Sequence, residues 1–156
     1  MVLACAAITA EAFRRFGRYV NIYEAVGEDA PLNYTADVLA VTLNSPVAGI
    51  GACATGPCKP VMRQMERHAH TEEGWIVFDG DCVAAFGEPC ANANDARYAA
   101  FAIPKGTIMT ILPGVWHYAP FAAGDRFVRV AAVLPPHTPE NDLEVQPLAE
   151  ELIIAG

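Results

Sequence analysis

The stretch Val61–Gly80, VMRQMERHAHTEEGWIVFDG, decides how the rest of this chain reads. It sets His68 and His70 two positions apart, follows them with Glu73, and reaches Gly80 after six further residues. On a strand, alternate side chains share a face, so His68 and His70 can point together into the inside of a barrel. Glu73 comes just after a tight turn and can return to the same point from the neighbouring strand. A second stretch answers the first: Gly106, then Pro113-Gly114-Val115-Trp116-His117, reads as a strand, a glycine turn and a histidine on the next strand. Three imidazoles and one carboxylate make a mixed nitrogen and oxygen donor set. It suits a divalent transition metal (Ni, Fe, Mn, Co or Zn), and ligand type alone does not choose among them. The expected metal ligands are therefore His68, His70, Glu73 and His117. The remaining histidine, His137, sits in Pro135-Pro136-His137-Thr138-Pro139 and reads as part of a proline-rich surface turn.

Outward from these two stretches, most of the chain consists of short apolar or alternating runs cut by Gly, Pro, Asn and Asp. Strands are expected at Tyr19–Tyr23, Ala36–Leu43, Val47–Cys53, Val61–His68, Trp75–Phe78, Cys82–Phe86, Tyr98–Ile103, Thr107–Ile111, Val115–Tyr118 and Phe127–Leu134. Only Thr9–Phe16 reads as helix, with Ala12, Phe13 and Phe16 on one face and Gly17 where a C-terminal cap belongs. Gly87–Arg97 is the expected surface loop. The pattern predicts an all-β sandwich or barrel with a short N-terminal helix, in one domain over residues 1–156, without internal repeats.

Composition narrows the function. The chain has 156 residues, 53% hydrophobic and 18% charged, a globular balance rather than a disordered one. The net charge of −8 and the lack of any Lys/Arg cluster argue against nucleic acid or an anionic membrane surface as partner. A small anion remains compatible, because a metal or a local cation outweighs charge spread over a surface. Five cysteines, an odd number with no C-x-x-C pair, fit reduced and mostly buried thiols in a cytoplasmic protein. The apolar Met1–Ala10 has no basic region before it and meets Glu11 and Arg14-Arg15 at once, so no signal peptide is expected.

The spacings H-x-H-x-x-E-x6-G and G-x-x-H resemble the two motifs of the cupin family, which implies a double-stranded β-barrel of jelly-roll type. The first is one residue shorter than usual between the second His and the Glu, and Phe121 stands where the second motif usually ends in Asn. Over nearly its whole length the chain also resembles the ureidoglycolate lyases. The likeness runs through Ile8-Thr9-Ala10-Glu11-Ala12-Phe13, Met65-Glu66-Arg67-His68, Val115-Trp116-His117 and Glu140–Val145. It departs at Tyr118, where the family usually has a second His, and at the apolar Ile111-Leu112-Pro113. The resemblance implies metal-assisted cleavage of ureidoglycolate to glyoxylate and urea in purine and allantoin breakdown, and a homodimer.

For such chemistry Glu66, which shares strand parity with His68, is the expected acid/base, with His117 beside it as a catalytic residue. Trp75, Trp116 and Tyr118 are expected to line the substrate pocket. Arg63 and Arg67 have the opposite parity and are expected to face away. Two other readings stand beside the lyase: a metal-dependent cupin acting on another small polar acid, as isomerase or dioxygenase, and a non-catalytic small-acid binding protein.

Overall fold

The computed structural model describes residues 1–156. Eleven strands run in chain order as β1 (Val2–Ala7), β2 (Gly17–Asn21), β3 (Gly49–Thr55), β4 (Val61–Arg67), β5 (Glu73–Val77), β6 (Cys82–Gly87), β7 (Tyr98–Ile103), β8 (Thr107–Ile111), β9 (Phe121–Ala122), β10 (Val128–Leu134) and β11 (Glu144–Ala155). Three one-turn helices interrupt them: α1 (Ala10–Phe13), α2 (Ile22–Ala25) and α3 (Thr138–Asn141). The strands form two sheets, ordered β4-β11-β1-β7-β6-β9 and β2-β8-β5-β10-β3. The protein is an all-β, jelly-roll type barrel, as the sequence predicts.

Alternation within the strands sorts the core. Phe86 and Ala84 of β6 join Phe13, Phe16, Trp75, Phe101, Met109 and Val130 in a cluster between the sheets. Phe13 packs edge-on against Phe86 and Phe101, with ring centroids 5.1 and 5.7 Å apart. Each such pair contributes about 1 kcal/mol beyond its buried area. Ala85 and Ala100, with opposite parity, face a second cluster on the other side of the six-stranded sheet, with Met62, Met65, Trp116 and Leu152. The Gly87–Arg97 segment is more than a surface loop: its 3-10 turn at Ala93–Asp95 buries Ala93 and covers this second cluster.

Two turns depend on glycine. Leu112-Pro113-Gly114-Val115 closes with Val115 N–H donating to the Leu112 carbonyl at 3.2 Å, and Gly114 at φ +80° takes the left-handed position. Pro104-Lys105-Gly106-Thr107 repeats the arrangement with Gly106, also at φ +80°.

The structure corrects several expectations. The N-terminal helix is only one turn, capped by Thr9 Oγ1 on the Ala12 N–H at 3.1 Å. Gly17 does not cap it but opens β2, where a Cβ would lie 1.7 Å from the Thr110 carbonyl oxygen of β8. Ala36–Leu43 is not a strand; it lies against the five-stranded sheet, where Arg18 donates to the Ala40 carbonyl, the Thr42 N–H donates to Glu72, and Val41 packs on Gly74. Val115–Tyr118 makes only isolated bridges, at Trp116 and His117. Strands β1 and β11 were not foreseen; they pair with each other in parallel from opposite ends of the chain. The thiols are not mostly buried either: Cys82 is, Cys53 and Cys58 are exposed, and none is paired.

Candidate metal centre

Backbone pairing brings the two histidine stretches together. Glu66 at the end of β4 exchanges both main-chain hydrogen bonds with His117, each 2.8 Å, and Gly114 N–H donates to the His68 carbonyl at 2.7 Å. Glu73 opens β5, opposite Ile111 of β8. The result is a buried group of His68, Glu73 and His117 whose ligand atoms all lie within 4.8 Å of one another. Glu73 Oε2 lies 2.8 Å from His117 Nε2 and 3.4 Å from His68 Nε2.

The far side of each ring fixes its proton. His117 Nδ1 lies 3.0 Å from the Val115 carbonyl oxygen, and His68 Nδ1 lies 2.6 Å from that of Asp142. A carbonyl oxygen only accepts, so both Nδ1 atoms carry hydrogen and donate. Each Nε2 therefore faces the Glu73 carboxylate either as the second N–H of an imidazolium or as a bare lone pair. Two lone pairs beside a carboxylate repel it unless a cation lies between them. An ion about 2.1 Å from each donor separates adjacent donors by roughly 3.0–3.4 Å in octahedral or tetrahedral coordination. The His68 spacing of 3.4 Å lies in that range, and the His117 spacing of 2.8 Å, a hydrogen-bond length, would open slightly around an ion. This tautomer, with Nδ1 donating to a main-chain carbonyl and Nε2 free to ligate, is the one metal-binding histidines adopt. The donor set fits a divalent transition metal.

Without an ion the same atoms form a charge cluster. Burial pushes the Glu73 carboxyl up, but hydrogen bonds from His117 and His68 outweigh it and hold the carboxyl at about 2. Burial lowers both imidazoles, yet their contacts with Glu73 leave each raised above the ordinary value. Glu66 is pushed up, mainly by burial and also by the Glu73 charge, with His117 and His68 opposing.

Beside the cluster lies a cavity of about 190 Å³, lined by Glu66, Glu73, Trp75, Cys53, Val130 and Ala132 together with Ala52, Ala119 and Pro120. Glu66 faces it because alternation holds over the last residues of β4: Met65 lies in the outer core cluster, and Arg67 stacks on Trp116, its guanidinium 4.4 Å from the ring centroid. Arg63 is exposed and pairs with Glu151 at 2.8 Å. The parity expectations for Glu66 and Arg67 agree with this placement; Arg63 also faces away, but parity does not carry as far as that residue, since Met62 and Met65 lie in the same outer cluster.

Three expected site residues lie elsewhere. His70 does not reach the cluster; its side chain is 75% exposed and its Nδ1 is 3.0 Å from Asp142 Oδ1. Strand alternation stops at Arg67, where β4 ends, so the turn that follows carries His70 outward. Trp116 sits fully buried in the outer cluster, because adjacent residues in extended chain face opposite ways and His117 takes the inner side. Tyr118 stacks on Phe121 and borders the same outer cluster. Trp75 alone of the three aromatics lines the cavity. The sequence reading missed Cys53. Its strand was foreseen in part, but pairing with β10 is what carries it to the cavity.

No protein-family model matches the chain, and no curated protein matches it. Among solved structures, a dTDP sugar isomerase from Desulfovibrio desulfuricans G20 superposes with a TM-score of 0.54 at 16% identity, over 86% of this chain and 83% of that one. The fold is a cupin-like β-barrel. At that identity the likeness shows fold alone. An oxalate decarboxylase of Bacillus subtilis, studied for its Mn(II) centres, matches with a TM-score of 0.43 at 17% identity over 55% of this chain. The chain spans only 21% of the length of that enzyme. So partial a match carries no argument about function. No helix of the protein is long and apolar enough to cross a membrane.

Proposed function

We propose that this cupin barrel is a metal-dependent enzyme acting on a small oxygen-rich molecule, with His68, Glu73 and His117 as its ligands. One observation carries the reading. Two imidazoles, each fixed through Nδ1 on a main-chain carbonyl, turn their Nε2 atoms onto a single buried carboxylate oxygen. A divalent ion bound there supplies Lewis-acid polarisation of a substrate oxygen. The chain supplies the rest. Glu66 faces the cavity with its carboxyl pKa raised, so it holds and returns a proton closer to neutral pH than an exposed glutamate does. Trp75, Val130 and Ala132 form an apolar wall that limits water beside it.

Within this class the first substrate reading is ureidoglycolate, cleaved to glyoxylate and urea, with Glu66 exchanging the proton as the C–N bond breaks. The resemblance at Met65–His68 and Val115–His117 supports it. A second reading is cupin chemistry on a less anionic molecule, such as isomerisation or oxygenation. The cavity favours this one: no Lys or Arg lines it, and its two charged groups, Glu66 and Glu73, are both acidic. A substrate carboxylate would thus find its positive partner in the metal alone.

Elemental analysis and turnover test both levels. Purified protein is expected to carry close to one transition-metal ion per chain and to lose it in His117→Ala. Metal-supplied protein is expected to release urea and glyoxylate above the spontaneous rate. Stoichiometric metal without that release removes the lyase reading and directs a substrate panel with an oxygen electrode. Metal-free protein that refuses every divalent ion removes the metal reading.

A further inference from the structure

Of the two histidines in the cluster, His68 is the less supported by its own neighbourhood. His117 donates to Val115, two residues back, and is bridged to Glu66 through the backbone. His68 lies just beyond the end of β4, and its ring is fixed by a residue far along the chain. That residue is Asp142, between α3 and β11.

Asp142 holds the turn at four points. Its carbonyl oxygen accepts from His68 Nδ1 at 2.6 Å. Oδ1 accepts from the Ala69 N–H at 2.9 Å and meets His70 Nδ1 at 3.0 Å, and Oδ2 accepts from the His70 N–H at 3.0 Å. The side chain is 11% exposed. Asp142 is itself anchored: its N–H donates to the Thr138 carbonyl at 2.8 Å, and Thr138 Oγ1 donates to the Pro135 carbonyl at 2.6 Å. The proline-rich segment around His137, read from the sequence as a surface turn, is thus the platform under this contact. His137 bends there through φ 60°.

We propose that Asp142 is a positioning residue of the metal centre. Its carboxylate clamps the Ala69-His70 turn and so keeps its own carbonyl against His68 Nδ1, which fixes the tautomer and aim of that ligand. His70 acts as part of this clamp and is not a ligand. The inference deepens the metal reading above and depends on it. Loss of a hydrogen-bond partner behind a ligating histidine commonly weakens metal binding by about 10–100-fold.

The test compares full-length wild type with Asp142→Ala and Asp142→Asn. Calorimetric titration with Co²⁺ is expected to show Asp142→Ala weaker by about 10–100-fold. Asp142→Asn keeps one acceptor oxygen and is expected to fall between. If the alanine variant fails to fold, that intermediate loss in Asp142→Asn carries the test. Imidazole ¹⁵N–¹H correlation spectra of the metal-free proteins read the mechanism directly: His68 loses its fixed Nδ1–H signature while His117 keeps its own. Wild-type Co²⁺ affinity in both variants overturns the proposal, as does equal disturbance of both rings, which marks general loosening. A wild type that takes up no Co²⁺ sinks the metal reading itself, and the spectra still decide whether Asp142 orients His68.

Discussion

Replacing Glu73 with Gln turns the charge cluster into a pH experiment. In metal-free protein the Glu73 carboxyl is held at about 2 against an ordinary 4.5, a difference worth about 3 kcal/mol to the folded state when the carboxylate is ionised. A depressed carboxyl contributes stability that is complete above the unfolded value and fades as pH falls toward the folded one. Between pH 6 and pH 3 the loss from Glu73 is about 2 kcal/mol, or roughly 4–8 °C in Tm for a domain of this size. The histidines run the other way: with folded pKa values raised above 6.5, their share is complete below 6.5 and fades as pH rises through the folded values. Both limbs belong to one set of ion pairs and are not summed. The metal-free wild type is therefore expected to be most stable between about pH 4.5 and 6.5. Glu73→Gln removes the Glu73 share of the acid limb and flattens the alkaline one. The Gln amide donates to one neutral Nε2, so its stability near pH 8 approaches that of wild type. Bound metal inverts the alkaline limb, because it needs both Nε2 atoms deprotonated and its stabilisation grows with pH. Thermal melts by circular dichroism at half-unit pH steps, with and without chelator, measure this. Parallel profiles for wild type and Glu73→Gln would refute the reasoning, whatever their absolute Tm.

Three further outcomes are expected. Glu66→Gln leaves Co²⁺ affinity within about threefold of wild type but lowers kcat on any substrate found by about 10²-fold or more, measured by steady-state kinetics. Equal losses in binding and turnover would make Glu66 structural. Gly17→Ala forces a Cβ onto the Thr110 carbonyl and costs roughly 3 kcal/mol in urea denaturation, whereas Gly51→Ala, with open space around it and no positive φ, is neutral or stabilising by up to about 1 kcal/mol. Arg18→Ala strips buried Glu72 of its partner at 3.0 Å and costs about 1–2 kcal/mol, discounted because the guanidinium is half exposed. Hydrogen exchange should then speed up at Thr42, whose N–H donates to the same carboxylate at 2.8 Å.

The sequence by itself determined the all-β class, most of the strands after residue 48, the glycine turns at Gly106 and Gly114, and three members of the buried cluster. These are local matters: a period of two, a positive φ that only glycine takes cheaply, and donor types set two or more residues apart. Tertiary structure decided what locality cannot. The segment Val2–Ala7 is rich in alanine, and Glu144–Ala155 carries Pro147 and three glutamates, so neither advertises a strand. Each becomes one between two neighbours: Val2–Ala4 and Ile153–Ala155 pair with each other in parallel, while Cys5–Ala7 pair with β7 and Glu144–Pro147 with β4. His70 looked like a ligand while alternation was assumed to continue past Arg67, and the strand's end turned it outward. Asp142 lies in the Glu140–Val145 run of the resemblance, but the sequence assigns it no role, since it accepts hydrogen bonds from residues about seventy positions earlier. Sequence periodicity reports which side chains share a face. Which faces meet is fixed only when the sheets close.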